Sequence, residues 1–125
     1  MVVTGDVGRH GCAILLARDT YGIEADVTSD CAPLAAAVEA ALDAVPDIHT
    51  IRDATRGGVG TVLYEIAHQS RVGVRLDDAA VPVAPGVAGV CGMLGLDPLY
   101  LANEGKFLCI LPEELADQAL QVLRS

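Results

Sequence analysis

Three short segments of this 125-residue chain collect the side chains that could hold phosphate or move a proton. The first is "DATRGGVG", residues 53–60, where Asp53, Thr55, Gly57 and Gly58 stand between a strand pattern and a helix pattern. A helix N-terminus offers free N–H groups and a partial positive charge to an anion. Adjacent glycines let a backbone approach a ligand closely, and Asp53 at a strand end could bind Mg²⁺. The same residues also suit a plain strand-to-helix turn with Thr55 or Asp53 as the cap. Neither a Walker loop nor a G-x-G-x-x-G fingerprint is present. The second segment is "LANEGKF", residues 101–107, which sets Asn103, Glu104 and Lys106 around Gly105 just before a run of strand character. Polar groups at a strand mouth are a common place for catalysis, and a solvated turn is the alternative. The third is "GDVGRHG", residues 5–11, in which His10 could act as an acid or base near neutral pH or could be an exposed helix-start residue.

The elements that must carry these segments can be read from period and breakers. Residues 10–18 suit a helix with Ala13, Ile14 and Ala17 on one face, and 23–28 suit an extended stretch. A helix follows Pro33, with Leu34, Val38, Ala41, Leu42 and Val45 as its stripe, and Pro46 ends it. "IHTIRD" reads as a short strand. The helix after it is the best defined, with Val59, Val62, Leu63, Ile66, Ala67 and Ser70 at helical spacing. Alternation of Val72, Val74 and Leu76 predicts a half-buried strand. Pro85 opens a helix carrying Val87, Val90, Cys91 and Leu94, capped by Gly95. "KFLCILP" has the unbroken apolar character of an interior strand. A last helix begins at the Glu113–Glu114 pair and buries Leu115, Ala119, Leu120 and Leu123. Strands and helices mostly alternate, which predicts an α/β or α+β layered domain with a mixed sheet covered by helices.

Composition agrees with this and narrows the partners. Hydrophobic residues make up 52% of the chain, yet it holds one Phe, three Tyr and no Trp, so the core must be aliphatic. The formal net charge is −9 and the eight Lys and Arg are scattered, which argues against nucleic acid. No apolar run approaches the ~18 residues that span a membrane, and the N-terminus has no signal-peptide pattern. Cys12, Cys31, Cys91 and Cys109 show no zinc-ligand spacing and all adjoin apolar residues. They read as reduced, buried thiols of a cytoplasmic protein.

In order along the chain, "GDVGRHGCAI", "SDCAPL", "PDIHTIRDATRGGVGTVLYEIA", "SRVGVRLDDAAVPV" and "LGLDPLYLANEGKFLCILP" resemble the HypE family of hydrogenase maturation proteins. That family lies in the ATP-using superfamily of aminoimidazole ribonucleotide synthetase and selenophosphate synthetase. The resemblance runs over residues 5–123 and implies the fold of the superfamily's C-terminal domain. It implies an ATP-dependent dehydration of a cysteine-bound carboxamide to a thiocyanate, the source of the cyanide ligands of [NiFe]-hydrogenase. It implies ATP and Mg²⁺ as cofactors, with Thr55, Arg56, Gly57, Gly58, Asn103 and Lys106 near the nucleotide phosphates and Asp53 a candidate metal ligand. Glu104 and His10 are the candidate proton-transfer residues, with Gly105 leaving room for a substrate. Lys106 would lower the pKa of Glu104 or hold a phosphate oxygen.

Residues 1–125 would form a single domain equivalent to the second domain of such a protein. The N-terminal ATP-site domain and the cysteine-bearing tail would lie outside this sequence. The isolated chain would then be inactive and bind no cofactor. Its expected partners are the ATP-site domain, the carbamoyltransferase and the iron-site scaffold complex of hydrogenase maturation, with homo-oligomerisation as a further possibility. A non-catalytic interaction module and the second domain of another superfamily enzyme are the alternative readings.

Overall fold

The computed structural model describes residues 1–124. Its centre is β3 (Phe107–Ile110), the strand predicted from "KFLCILP". β1 (Val2–Val3) pairs with one edge of β3, with Val3 opposite Leu108. β2 (Thr50–Asp53) pairs with the other, with Ile51 opposite Cys109 and Asp53 opposite Phe107. All three strands run antiparallel, so the sheet is not the mixed one expected. The missing contribution is the predicted strand at 72–77. Val72 and Val74 are exposed there, only Leu76 is partly buried, and the segment joins no strand among the described residues. Alternation alone cannot make a strand without an edge to bond to. Residues 23–28 likewise form no regular element.

The period-2 pleat sorts β3 into two cores. Leu108 packs against Val59, Val62, Leu63 and Ile66 of α3 (Gly58–Ser70). Phe107 and Cys109 point the other way, into Val45 and Ala119 beside α2 (Ala35–Ala44) and α5 (Ala116–Arg124). A third cluster joins α1 (Arg9–Ala17) to α4 (Pro85–Leu94) through Cys12, Val87, Val90 and Cys91. Gly95 caps α4 in the left-handed region, as its position predicts.

One helix face differs from its expected role. On α1 the buried residue is Cys12; Ile14 and Ala17 are exposed and Ala13 is half-buried. Leu42 of the α2 stripe is also exposed. Three of the four thiols are buried as expected, but Cys31 is exposed, because residues 22–33 carry no element that could cover it.

Candidate functional site

Residues 98–106 form a strap on which the three polar segments converge. A 3₁₀ turn (Pro98–Tyr100) opens it, held by the Asp97 side chain on the Leu99 N–H at 2.9 Å. The Gly11 N–H of α1 donates to the Ala102 carbonyl at 2.9 Å, and the Asn103 N–H donates to the Ala54 carbonyl at 3.1 Å. The amide of Asn103 finishes the joint. Its Oδ1 accepts the Gly8 N–H at 2.8 Å, and its Nδ2 donates to Ala54 O at 3.0 Å and Leu101 O at 3.2 Å. Asn103 is 1% exposed, so one side chain ties the entry of α1, the exit of β2 and the strap together.

The glycine pair has a structural reason in the same place. Gly58 has φ +66°, and a Cβ there would stand 2.4 Å from Leu99 O and 2.6 Å from Leu101 O. The N-terminus of α3 is thus pressed under the strap, and only glycine fits. Gly57 is the N-cap, and neither Thr55 nor Asp53 caps the helix with its side chain.

Below the strap a second segment docks. The Glu104 N–H donates to Asp30 Oδ1 at 3.3 Å, and Lys106 Nζ reaches Asp30 Oδ2 at 2.6 Å and Asp6 Oδ1 at 3.0 Å. Arg9 also pairs with Asp6. Burial disfavours the ionised form of Asp30, but the Lys106 hydrogen bond, the Glu104 N–H and the Lys106 charge outweigh it and hold its pKa below the ordinary value. Burial of Asp6 is likewise outweighed, by Arg9 and Lys106, so its pKa is also lowered. The space that a Gly105 side chain would need is filled by the Asp30 carbonyl, 1.7 Å from the Cβ position. Gly105 therefore serves the docking of residues 29–31, not substrate access. Lys106 is committed to Asp30 and Asp6 and has no contact with Glu104.

Docking of residues 29–31 builds a cluster around His10. Ser29 Oγ lies 2.8 Å and Cys31 Sγ 3.9 Å from His10 Nδ1. On the other side of the ring, Nε2 faces Glu104 Oε1 at 4.0 Å. That distance is an ion-pair separation, longer than a hydrogen bond. Glu104, with 39% of its side chain exposed, looks into an open groove of about 400 Å³. His10, Ile14, Leu15 and Arg18 of α1 and its C-cap form one wall; Thr55 and Arg56 form another. Among the described residues, neither Arg18 nor Arg56 has a carboxylate partner, and the Thr55 hydroxyl has no hydrogen bond. Unpaired guanidiniums beside a free hydroxyl suit a phosphoryl group. Asp53 ends β2, exposed and outside the groove, and the described residues contain no cluster of three or more His, Cys, Asp or Glu that could hold a metal.

The profile of the family described as AIR synthase related protein, C-terminal domain, matches residues 1–125. The chain belongs to that family. Carbamoyl dehydratase HypE of Azotobacter vinelandii is 47% identical over 125 residues, which is 100% of this chain and 37% of that protein. The crystal structure of hydrogenase maturation protein HypE in complex with ATP superposes with a TM-score of 0.92 at 52% identity, over 98% of this chain and 37% of that one. A HypE–HypF complex gives a TM-score of 0.92 at 37% identity, over 98% of this chain and 40% of that one. The chain thus spans a little over a third of the length of these HypE relatives.

Of the residues singled out in the sequence, His10, Thr55, Arg56 and Glu104 line the groove of this AIR synthase-type domain. Asn103, Lys106 and Gly58 lie beside it as its framework, and Gly57 caps α3. Sequence reasoning missed Arg18 and the triplet Ser29, Asp30 and Cys31. Arg18 had a signal: His10, Ile14 and Arg18 follow one another at four-residue steps, one face of a helix. The triplet lay within "SDCAPL", one of the segments that carry the family resemblance, but nothing local reports its contact with residue 104.

Proposed function

We propose that this chain is the second domain of a HypE-type carbamoyl dehydratase, in which an S-bound carboxamide is converted to a thiocyanate at the expense of ATP. What supports this most is the meeting of His10, Thr55, Arg56 and Glu104, from three separate segments, around one groove of a domain that superposes on ATP-bound HypE. ATP supplies the phosphoryl group that makes the amide oxygen a leaving group. For each nitrile formed, the C–O bond breaks, phosphate departs and the nitrogen gives up both protons.

The chain's own groups meet these needs separately. Arg18, Arg56 and the Thr55 hydroxyl are free to hold phosphate oxygens. Glu104, with His10 beside it at the groove, takes the nitrogen protons. Asn103, Lys106 and Asp30 keep the strap in register, so that Glu104 is presented without being buried. Asp53 would give Mg²⁺ a single carboxylate, and the metal would there offset the charge of the phosphate oxygens. The remaining length of the protein would complete the nucleotide site and carry the acceptor cysteine. The protein works in the cytoplasm, where a HypF-like carbamoyl donor and the iron-site scaffold complex are its partners. Exposed Tyr64, Val72, Val74 and Tyr100 give it an apolar face for the ATP-site domain or a second copy.

The test is a chimera in which the Azotobacter vinelandii relative supplies the remaining length. Its acceptor cysteine is carbamoylated, and MgATP is added. Mass spectrometry should show the cysteine adduct losing water, and this chain alone should bind no MgATP in calorimetry. ATP turnover without any thiocyanate would reject the reading.

A further inference from the structure

We infer that Ser29 is a positioning residue for His10: its hydroxyl, across the ring from Glu104, supports the tautomer that carries the hydrogen on Nε2, toward Glu104. The inference rests on the reading of Glu104 and His10 as the proton-transfer pair. A hydroxyl has one hydrogen and two lone pairs. The Cys31 N–H can only donate, and it does so to Ser29 Oγ at 3.3 Å. The second lone pair would equally accept an Nδ1–H, but the Glu104 carboxylate on the far side of the ring favours the hydrogen at Nε2, which leaves Nδ1 to accept the Ser29 hydrogen, 2.8 Å away. A neutral imidazole that accepts at Nδ1 carries its hydrogen on Nε2, and Nε2 is the nitrogen that faces Glu104 Oε1. The ring therefore turns an N–H toward the carboxylate, at 4.0 Å an electrostatic contact and not a hydrogen bond. Glu104 keeps free lone pairs, so it is the member of the pair that takes the amide proton. Without Ser29, the only other side-chain polar group at Nδ1 among the described residues is the Cys31 thiol at 3.9 Å, a weak donor, and the second tautomer opens.

Ser29 itself is held by groups that take no part in proton transfer. Asp30 is clamped by Lys106 and by the Glu104 N–H, and its carbonyl fills the space over Gly105. This mount stays intact in Ser29→Ala, so the substitution separates orientation from folding.

Two measurements decide the matter. In this chain, ¹⁵N spectra at alkaline pH should show the His10 ring protonated at Nε2 with Nδ1 hydrogen-bonded. Ser29→Ala should move the Nδ1 signal and mix the tautomers, and Ser29→Thr should restore the wild-type pattern. A ring protonated at Nδ1, or a spectrum unchanged in Ser29→Ala, overturns the inference. In the full-length chimera, Ser29→Ala should slow dehydration about tenfold, as loss of an orienting partner typically does, with Ser29→Thr near normal. In a His10→Ala background, Ser29→Ala should add nothing. An undiminished effect there overturns the inference. Should the wild-type chimera form no thiocyanate at all, the functional reading fails, and the ring spectrum still decides the role of Ser29.

Discussion

Two neighbouring parts of the strap region are built on opposite terms. Around Asn103 and Lys106 every polar group is used: the amide makes three hydrogen bonds, and the ammonium sits between two carboxylates. Along the groove, a few residues away, the side chains of Arg18, Arg56 and Thr55 have no hydrogen-bond or ion-pair partner among the described residues, and the Glu104 carboxylate has only a distant one. Buried polar groups must be satisfied within the fold, because each one left bare costs about 1–3 kcal/mol. Exposed groups carry no such penalty and remain available to a ligand. The contrast separates residues that make the site possible from residues that act in it, even where the two alternate along one stretch such as Asn103-Glu104-Gly105-Lys106.

The sharpest break of that contrast is on the satisfied side. Lys106→Met leaves Asp30, 6% exposed in its side chain, beside Asp6 with no ammonium between them. Breaking a buried ion pair from one side typically costs about 3–5 kcal/mol, so a loss of about 3 kcal/mol is expected in chemical denaturation. Adding Asp30→Asn should recover part of it; a loss below about 1 kcal/mol would mean the cluster behaves as a surface pair.

Asn103→Ala should come next. It strands the Gly8 N–H and the Leu101 carbonyl, while the Ala54 carbonyl keeps only the backbone N–H of residue 103, for a loss of about 2 kcal/mol. A melting temperature equal to wild type would show that the joint is held by backbone bonds alone.

Acid sharpens the same comparison. Asp6 and Asp30 have pKa values below their ordinary 3.8 in the folded chain. Their contribution is therefore complete above that value and is lost as pH falls through the lower folded values. Stability contributed by the cluster should hold from neutrality to about pH 5 and drop below about pH 4, with a smaller drop in Lys106→Met. An equal drop in both proteins would remove the lysine as its cause. On the free side the effect should be smallest: Arg56→Ala should change stability by less than about 0.5 kcal/mol, and a larger loss would reveal a structural partner.

The sequence and the structure part company for reasons of range. Both cores were readable, because Val59, Val62, Leu63 and Ile66 on α3 and the unbroken run of β3 are local periodic signals. Glu104 and His10 were readable as residue types next to turn glycines. Their meeting was not readable from spacing, since it depends on the strap lying across α1 and α3. The division of labour within "NEGK" was hidden for the same reason. Whether an Asn or a Lys is buried among partners is decided by segments far away in the chain, here residues 6–8, 30 and 54. Cys31 was misjudged as buried because apolar neighbours in sequence, Ala32 and Pro33, gave it no cover in space.

The most direct test of the account is Glu104→Gln in the full-length chimera, followed by mass spectrometry of the carbamoylated cysteine with thermal melts alongside. Glu104 belongs to the free side, so melting should be unchanged within about 0.5 kcal/mol. Dehydration should fall by about 10²–10⁴-fold, the usual contribution of a general base. Near-normal thiocyanate formation, or a collapse in stability comparable to that of Lys106→Met, would contradict it.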